Sequence, residues 1–199
     1  MARVTDRVKE TTRGRLLNAA AHEFAHAGFE RASVDTISIA AGYAKGTIYN
    51  YFPSKEELFL AVVEEASHQA AAAAPAPRNA SAWERLRAAL SGFCGWASRQ
   101  DSLARVLVRE CLMGTPGLYP RVISAEWPLT SELEAIIMDG IRDGELRDDI
   151  PADLLALALA GLTDLALAQH WASAGTTPAI SAIPELVLTL LVGPRRAGN

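Results

Sequence analysis

Cysteine is scarce in this sequence, since only Cys94 and Cys111 occur among 199 residues. Two cysteines cannot form the disulfide framework of a small secreted domain or the four-ligand set of a structural zinc site. Both lie in apolar, helix-like stretches, so we expect buried structural thiols rather than a redox pair. No motif implies a cofactor.

Long hydrophobic runs are also missing. The N-terminal stretch MARVTDRVKETTRGR is charged and has no apolar core, so it does not look like a signal peptide. The most apolar run, residues 154–168, is shorter than the roughly 20 residues that span a bilayer, and Asp164 interrupts it. We therefore expect a cytoplasmic protein that makes no membrane contact.

Strand-like alternation and internal repeats are not found either. Half of the residues are hydrophobic, which is enough for a sizeable core in a chain of this length. These residues recur at spacings of three and four, as on one face of a helix. The pattern predicts an all-α fold of about nine helices.

Positive charge is scarce overall but concentrated at one end. Residues 1–55 carry eight Lys and Arg against five Asp and Glu, for a net charge of +3. Residues 56–199 carry 11 against 18, for a net charge of −7. This asymmetry favours a DNA-reading head on a body that avoids DNA, although it also falls within ordinary variation.

Residues 33–52 predict two short helices joined by a tight turn. Ser33 can cap the first helix, and Gly42 can adopt the left-handed backbone that ends it. The second helix covers about residues 44–51 and cannot continue through Pro53. Such a pair is typical of a helix-turn-helix, whose second helix enters the DNA major groove.

The outward side of the second helix suits DNA recognition. Its Lys, Thr and Asn side chains can bond base edges or phosphates, and Gly46 has no side chain to hold the backbone away from DNA. Tyr51 and Lys55 are placed at its end for phosphate contact. The predicted DNA-binding residues are Ser33, Lys45, Gly46, Thr47, Tyr49, Asn50, Tyr51 and Lys55.

A series of residues at characteristic spacings extends over about the first third of the chain. The residues are Arg15-Leu16-Leu17-x-Ala19-Ala20, Phe24, Gly28-Phe29, Ser33-Val34, Ile37, Ala41-Gly42, Lys45-Gly46-Thr47-Ile48-Tyr49, Tyr51-Phe52 and Ser54-Lys55-x-x-Leu58. In these residues the chain resembles the TetR family of tetracycline-repressor-like regulators. Two positions depart from the family pattern: Ala44, where many members have a capping hydroxyl residue, and Ser38, where alanine is usual.

The resemblance implies a three-helix DNA-binding head in residues 1–55 and a fourth helix, residues 54–74, that connects it to the rest. A helical body in residues 75–199 would bind a small-molecule effector. Residues 154–171 and 184–192 match the helices through which members form homodimers. Two recognition helices one turn of DNA apart would read a palindromic operator in double-stranded DNA.

Seven residues are candidates for the effector site. Four are large apolar side chains that could line a pocket but are also typical of ordinary core. Three are polar groups on apolar faces, where a carboxylate needs a partner or stays protonated, and these could instead lie at the dimer interface. The candidates are Phe93, Trp96, Glu110, Met113, Trp127, Asp164 and His170.

The segment His22-Glu23-Phe24-Ala25-His26 also matches H-E-x-x-H, the signature of zinc proteases. On a helix, His22 and His26 would point away from the apolar stripe that contains Phe24. No third ligand follows at a recognised spacing. We expect a solvated helical face, no metal site and no enzyme.

Several element boundaries are predicted from single residues. Polar residues 1–12 predict an arm that precedes a first helix at about residues 12–27. Asp101 is expected to cap a later helix, and Pro128 is expected to kink or split the next one.

The sequence as a whole predicts a ligand-responsive transcriptional regulator, most simply a repressor that a small molecule releases from its operator. The alternatives are a zinc-dependent hydrolase at His22, Glu23 and His26, or a helical partner-binding protein. No recognisable pattern in the sequence identifies the effector, the operator or the regulated genes, or distinguishes a repressor from an activator.

Overall fold

A computed structural model describes residues 2–74, 77, 79–173 and 179–192, with side chains at all of these except residues 2–6 and 119–128. This part of the chain contains nine α-helices, a short 3-10 helix at Ile180–Ala182 and no strand. The all-α prediction is therefore confirmed. The α-helices are α1 (Ala2–Arg31), α2 (Val34–Ala41), α3 (Lys45–Tyr51), α4 (Lys55–Ala72), α5 (Ala82–Arg99), α6 (Asp101–Met113), α7 (Tyr119–Arg142), α8 (Ala152–Ala172) and α9 (Ile183–Leu191).

The first helix is longer than predicted. Residues 2–12, expected to be an arm, belong to α1. The expected end at Gly28 is seen as a break, since this residue has φ 75° and ψ 167°. Glycine tolerates this conformation because it has no side chain. One further helical turn follows the break, and α1 ends at Arg31.

The two short helices form as predicted. The Ser33 hydroxyl accepts a hydrogen bond from the Thr36 N–H at 3.4 Å, and Gly42 ends α2 with φ 74°. Ile37 and Ile48 are buried, α2 packs on α1, and α3 packs on α2. Ala44 precedes α3 without a side-chain cap, as the residue type requires.

An aromatic cluster joins this unit to α4. The ring of Phe59 on α4 lies 5.0 Å from the ring of Phe24 and 5.0 Å from the ring of Phe29, measured between centroids. Phe24 and Phe59 are about 99% buried. The Ser54 hydroxyl accepts the Glu57 N–H at 3.2 Å and so caps α4 at its start.

One prediction about a later boundary is wrong, and so is one of the two alternatives of another. Asp101 is the first residue of α6 and not its cap; its carboxylate pairs with Arg105 at 2.7 Å, one turn along the same helix. The helix α7 is continuous through Pro128, so the predicted split does not occur. A proline removes one backbone hydrogen bond but keeps a helical φ, so a helix can continue through it.

One arginine ties α6 to the end of α1. The Arg109 guanidinium donates Nη1 to the Phe24 carbonyl at 2.9 Å and Nη2 to the Ala25 carbonyl at 2.8 Å. Both carbonyls lie in the last turn before Gly28, where carbonyls of a helix lose their regular N–H partners. Arg109 therefore acts as a side-chain cap delivered from a distant helix.

Helix α8 contains the apolar run that appeared too short to span a membrane. The helix itself has 21 residues and, within the described parts of the chain, it is the one helix long and apolar enough for a span by length and composition. A core or interface helix of a soluble protein has the same properties. Asp164 and Thr163 are buried within it.

Candidate nucleic-acid interface and body cavity

The outer face of α3 presents a compact set of polar side chains. Lys45, Gly46, Tyr49 and Asn50 are exposed, whereas Ile48 on the opposite side is buried. A Cβ built on Gly46 would meet no heavy atom within 4 Å, so the backbone here is open to an approaching surface. Thr47 is half-buried. We define these five residues (Lys45, Gly46, Thr47, Tyr49 and Asn50) as the α3 face.

Lys45 already has an acidic partner. Its Nζ lies 2.9 Å from Asp35 Oδ2, across the turn between α2 and α3. This hydrogen bond raises the pKa of Lys45 above its ordinary value, so the ammonium stays protonated. Both side chains are about half exposed or more, which leaves the pair screened by water and salt.

Three other predicted DNA-binding residues have roles inside the fold. The Ser33 hydroxyl caps α2, and the Ser33 N–H donates to Glu23 Oε1 at 3.0 Å. Lys55 Nζ donates to the carbonyls of Glu30 and Ala32 at 3.1 and 3.2 Å.

Lys55 Nζ also lies 4.7 Å from the centroid of the Phe29 ring. Tyr51 is half-buried, with its ring 6.4 Å from that of Phe52. Ser33 and Lys55 therefore make hydrogen bonds within the fold, and contact of these three residues with DNA stays a prediction.

The H-E-x-x-H segment has a structural explanation. His22 and His26 are exposed on α1, as their helical positions predict, and Glu23 accepts the Ser33 N–H described above. Across the residues that the structure describes, no group of three His, Cys, Asp or Glu side chains could hold a metal ion. The motif thus contributes a carboxylate that orients the start of α2.

The body encloses a cavity of about 230 Å³ between helices α4 to α8. Its walls are largely apolar, and the charged side chain among the described lining residues is Asp164, which is 6% exposed. Other lining residues include Ser67, Phe93, Leu107, Cys111 and Leu129.

The predicted effector residues separate into two groups. Phe93 and Asp164 line the cavity. Among the others whose side chains are described, Trp96 is buried and donates its Nε1–H to Gln69 Oε1 at 3.2 Å, Met113 is 82% exposed, and His170 is half-buried. None of these three is among the described lining residues.

Glu110 is 3% exposed and, within the described residues, its Oε2 has no hydrogen-bond partner. It is likewise not among the described lining residues. Trp127 lies outside the described side chains.

The cysteines differ in setting. Cys94 is buried, and burial, followed by the negative charge of Asp164, raises the pKa of its thiol to about 12. Cys111 is half-buried and lines the cavity, which the sequence did not indicate. Ser67 and Arg109 were missed as well, because each acquires its role from helices far away in the chain.

A helix-turn-helix with an exposed second helix, joined to a helical body that encloses a cavity, defines a DNA-binding transcriptional regulator. The sequence pattern of the bacterial regulatory proteins of the tetR family matches residues 16–62. The pattern of the tetracyclin repressor-like C-terminal domain matches residues 79–174. The chain belongs to the tetR family.

Similar proteins agree with this assignment. The HTH-type transcriptional repressor AcnR of Corynebacterium diphtheriae is 29% identical over 176 residues, 88% of each chain. An HTH-type transcriptional repressor of Streptomyces coelicolor is 30% identical over 153 residues, 76% of each chain. The crystal structure of the transcriptional regulator FadR from Bacillus subtilis in complex with stearoyl-CoA has the same fold, with a TM-score of 0.80 at 24% identity over 92% of this chain and 98% of that one.

Proposed function

We propose that the chain is a dimeric repressor that binds a palindromic operator through the α3 face and leaves it when a small molecule enters the body cavity. The observation that carries this proposal is the exposed α3 face, on a different part of the fold from the cavity. Two relatives are named transcriptional repressors, which supports repression rather than activation. The stearoyl-CoA in the FadR structure supports an effector in the body.

The DNA-binding residues have two roles in this proposal. The α3 face meets base edges and the adjoining phosphates in the major groove. Ser33, Tyr51 and Lys55 position the DNA backbone beside this face. Residues 1–55 form the DNA-binding head, residues 54–74 the connecting helix, and residues 75–199 the body.

A second copy of the chain is expected to cover an apolar face of α8 and α9. Large side chains on both helices are exposed by 46% to 65%, and those on α8 recur at helical spacing. Monomeric proteins rarely expose such a continuous apolar surface. These side chains, the α8–α9 face, are Leu154, Leu157, Leu165, Leu186 and Leu190. A soluble dimer of this kind works in the cytoplasm.

Selection of bound duplexes from a random DNA pool, at two salt concentrations, tests the proposal. A repressor of this type enriches one palindrome, bound by two copies of the chain, and keeps its preference at the higher salt. Weak binding without sequence preference, lost as salt rises, would show that only nonspecific charge attraction is present. The proposal would then be wrong.

A further inference from the structure

We propose that the N-terminal part of α1 makes a second contact with DNA, in which Arg7 and Lys9 bind phosphates beside the major groove that α3 enters. The inference rests on the proposed function, in which the α3 face reads the operator. It adds a surface that holds the neighbouring DNA backbone. We define residues 7–11, all of which are exposed, as the α1 projection.

The C-terminal part of α1 lies against the body. There the carbonyls of Phe24 and Ala25 accept hydrogen bonds from Arg109 on α6. The helix is continuous up to the break at Gly28, so its axis determines where the earlier residues lie. At 1.5 Å per residue, Thr12 is about 18 Å from Phe24 along this axis.

The part of α1 around Thr12 contacts both flanks of α3. The Tyr43 hydroxyl, in the turn before α3, donates to Thr12 Oγ1 at 3.4 Å. The Arg13 guanidinium lies 5.7 Å from the centroid of the ring of Phe52, the residue that follows α3. Residues 7–11 therefore continue α1 past α3 by about 7 Å, on the side away from the body. A duplex that meets the α3 face lies within reach of the α1 projection.

The charge of this surface suits phosphate. Residues 7–13 contain Arg7, Lys9 and Arg13 against Glu10, for a net charge of +2, whereas the whole chain has a net charge of −4. All four side chains are exposed. Among the described residues, the charged groups of Arg7 and Lys9 form no hydrogen bond or ion pair. Each can therefore bind a phosphate without breaking a bond within the chain.

The α1 projection gains little from packing within its own chain. Five successive exposed residues bury no face of the helix. Most of the stability of a helix in a protein comes from the packing of one face, so this segment is only weakly held. Contact with a DNA backbone would supply the missing support.

The measurement is fluorescence anisotropy of the full chain with the selected operator and with an unrelated duplex, over a salt series. The double variant Arg7→Gln, Lys9→Gln removes two charges and keeps helix propensity, since Gln, Lys and Arg are similar helix formers. We expect both duplexes to bind at least about tenfold more weakly, and the salt slope of log K to fall by about 1.8 per subunit, the value for two phosphate contacts. The preference for the operator should not change, because phosphates carry no base information.

Two further variants locate the effect. The control Arg87→Gln, Arg99→Gln removes the same charge from exposed positions on α5 in the body and should leave the salt slope unchanged. Glu10→Gln removes the negative charge beside Arg7 and Lys9 and should tighten binding to both duplexes. Urea denaturation should give the parental free energy of unfolding for all of these variants, because the changed side chains are exposed.

Parental affinity and salt slope in the Arg7→Gln, Lys9→Gln variant would overturn the inference, as would an equal loss in the α5 control or weaker binding after Glu10→Gln. A loss confined to the operator would also overturn it, because it would identify a base contact. A parental chain that selects no palindrome in the random-pool experiment would remove the proposed function itself. A selected palindrome that parent and double variant bind equally removes only the second contact, so the two failures are distinguishable.

Discussion

Lys45 has a partner in the free protein that competes with DNA. Its ammonium bonds Asp35 at 2.9 Å, and both groups are exposed. An exposed pair of this kind contributes little to stability, so a phosphate can replace Asp35 with small loss. In the proposed complex the carboxylate would remain beside the α3 face, where its charge would repel the DNA backbone.

Asp35→Asn should tighten binding to the operator and to an unrelated duplex alike, by about two- to fivefold, because Lys45 is released and a negative charge is removed. Lys45→Met should weaken both and reduce the salt slope of log K by about 0.9, the value for one phosphate contact. Affinity measured over a salt series checks both variants. Weaker binding by Asp35→Asn at unchanged stability would mean that the pair persists on DNA.

Tyr49 is expected to discriminate between sequences. It is 43% exposed at the centre of the α3 face. Tyr49→Ala should weaken operator binding by about 1–3 kcal/mol and leave binding to an unrelated duplex nearly unchanged. An equal loss on both duplexes would instead identify Tyr49 as a backbone contact, and parental affinity on both would place it outside the interface.

At the scale of elements, the end of α1 depends on α6. The break at Gly28 leaves carbonyls in the preceding turn, and Arg109, 84 and 85 residues away in sequence, donates to two of them. The contact joins α1, on which the helix-turn-helix packs, to α6. Leu107 and Cys111 on α6 line the cavity. A change at the cavity therefore has a short physical route to the head.

Arg109→Gln should lower the free energy of unfolding by about 1–3 kcal/mol, because two carbonyls lose charged donors in a partly buried site. Urea denaturation measures this change. Arg142→Gln is the control, because Arg142 is 68% exposed and pairs with Asp139 one turn earlier on the surface of α7, and its loss should be smaller. Equal effects of the two variants would contradict the capping role of Arg109.

Local chemistry made some elements predictable and others not. Ser33 and Gly42 act through backbone groups within three to five residues, so the two ends of α2 could be predicted. The start of α1 could not be predicted, because a polar helix and a polar arm have similar compositions. The role of Arg109 could not be predicted either, since no local sequence pattern encodes a contact between residues more than 80 positions apart.

At the scale of the whole molecule, the α8–α9 face is an apolar surface that one copy of the chain leaves exposed to solvent. Its leucines are exposed in one copy of the chain, although residues of the same helices such as Leu159 and Leu188 are fully buried. Association through this face would remove apolar area from water at roughly 25 cal/mol per Å². It would also fix the distance between two α3 faces, as a palindrome requires.

Leu165→Asp should convert the dimer to a monomer, because it places an uncompensated charge in the centre of that surface. We expect the dissociation constant of the dimer to rise at least about 100-fold. Light scattering after size-exclusion chromatography measures it. Met138→Asp is the matched control, since Met138 on α7 is 56% exposed, close to the 55% of Leu165. Loss of dimer in both variants, or in neither, would place the interface elsewhere.

The cavity shows the limit of prediction from sequence at this scale. The apolar and polar periodicities identified helices and placed Phe93 and Asp164 on inward faces. They could not separate cavity walls from ordinary core, because Trp96 and Phe93 have similar patterns and only the packing of five helices leaves space beside one of them. Prediction of the helices was therefore more complete than prediction of the site.

The recognition helix α3 has seven residues and no side-chain cap. Isolated helices shorter than about 12–15 residues are marginal in water, so this segment owes its shape to Ile48 and Phe52 in the core beneath it. A synthetic peptide with the sequence of α3 would accordingly be unstructured and a poor mimic of the protein. In hydrogen exchange, the amides of α3 should lose protection together with those of the packing beneath them, as one cooperative unit.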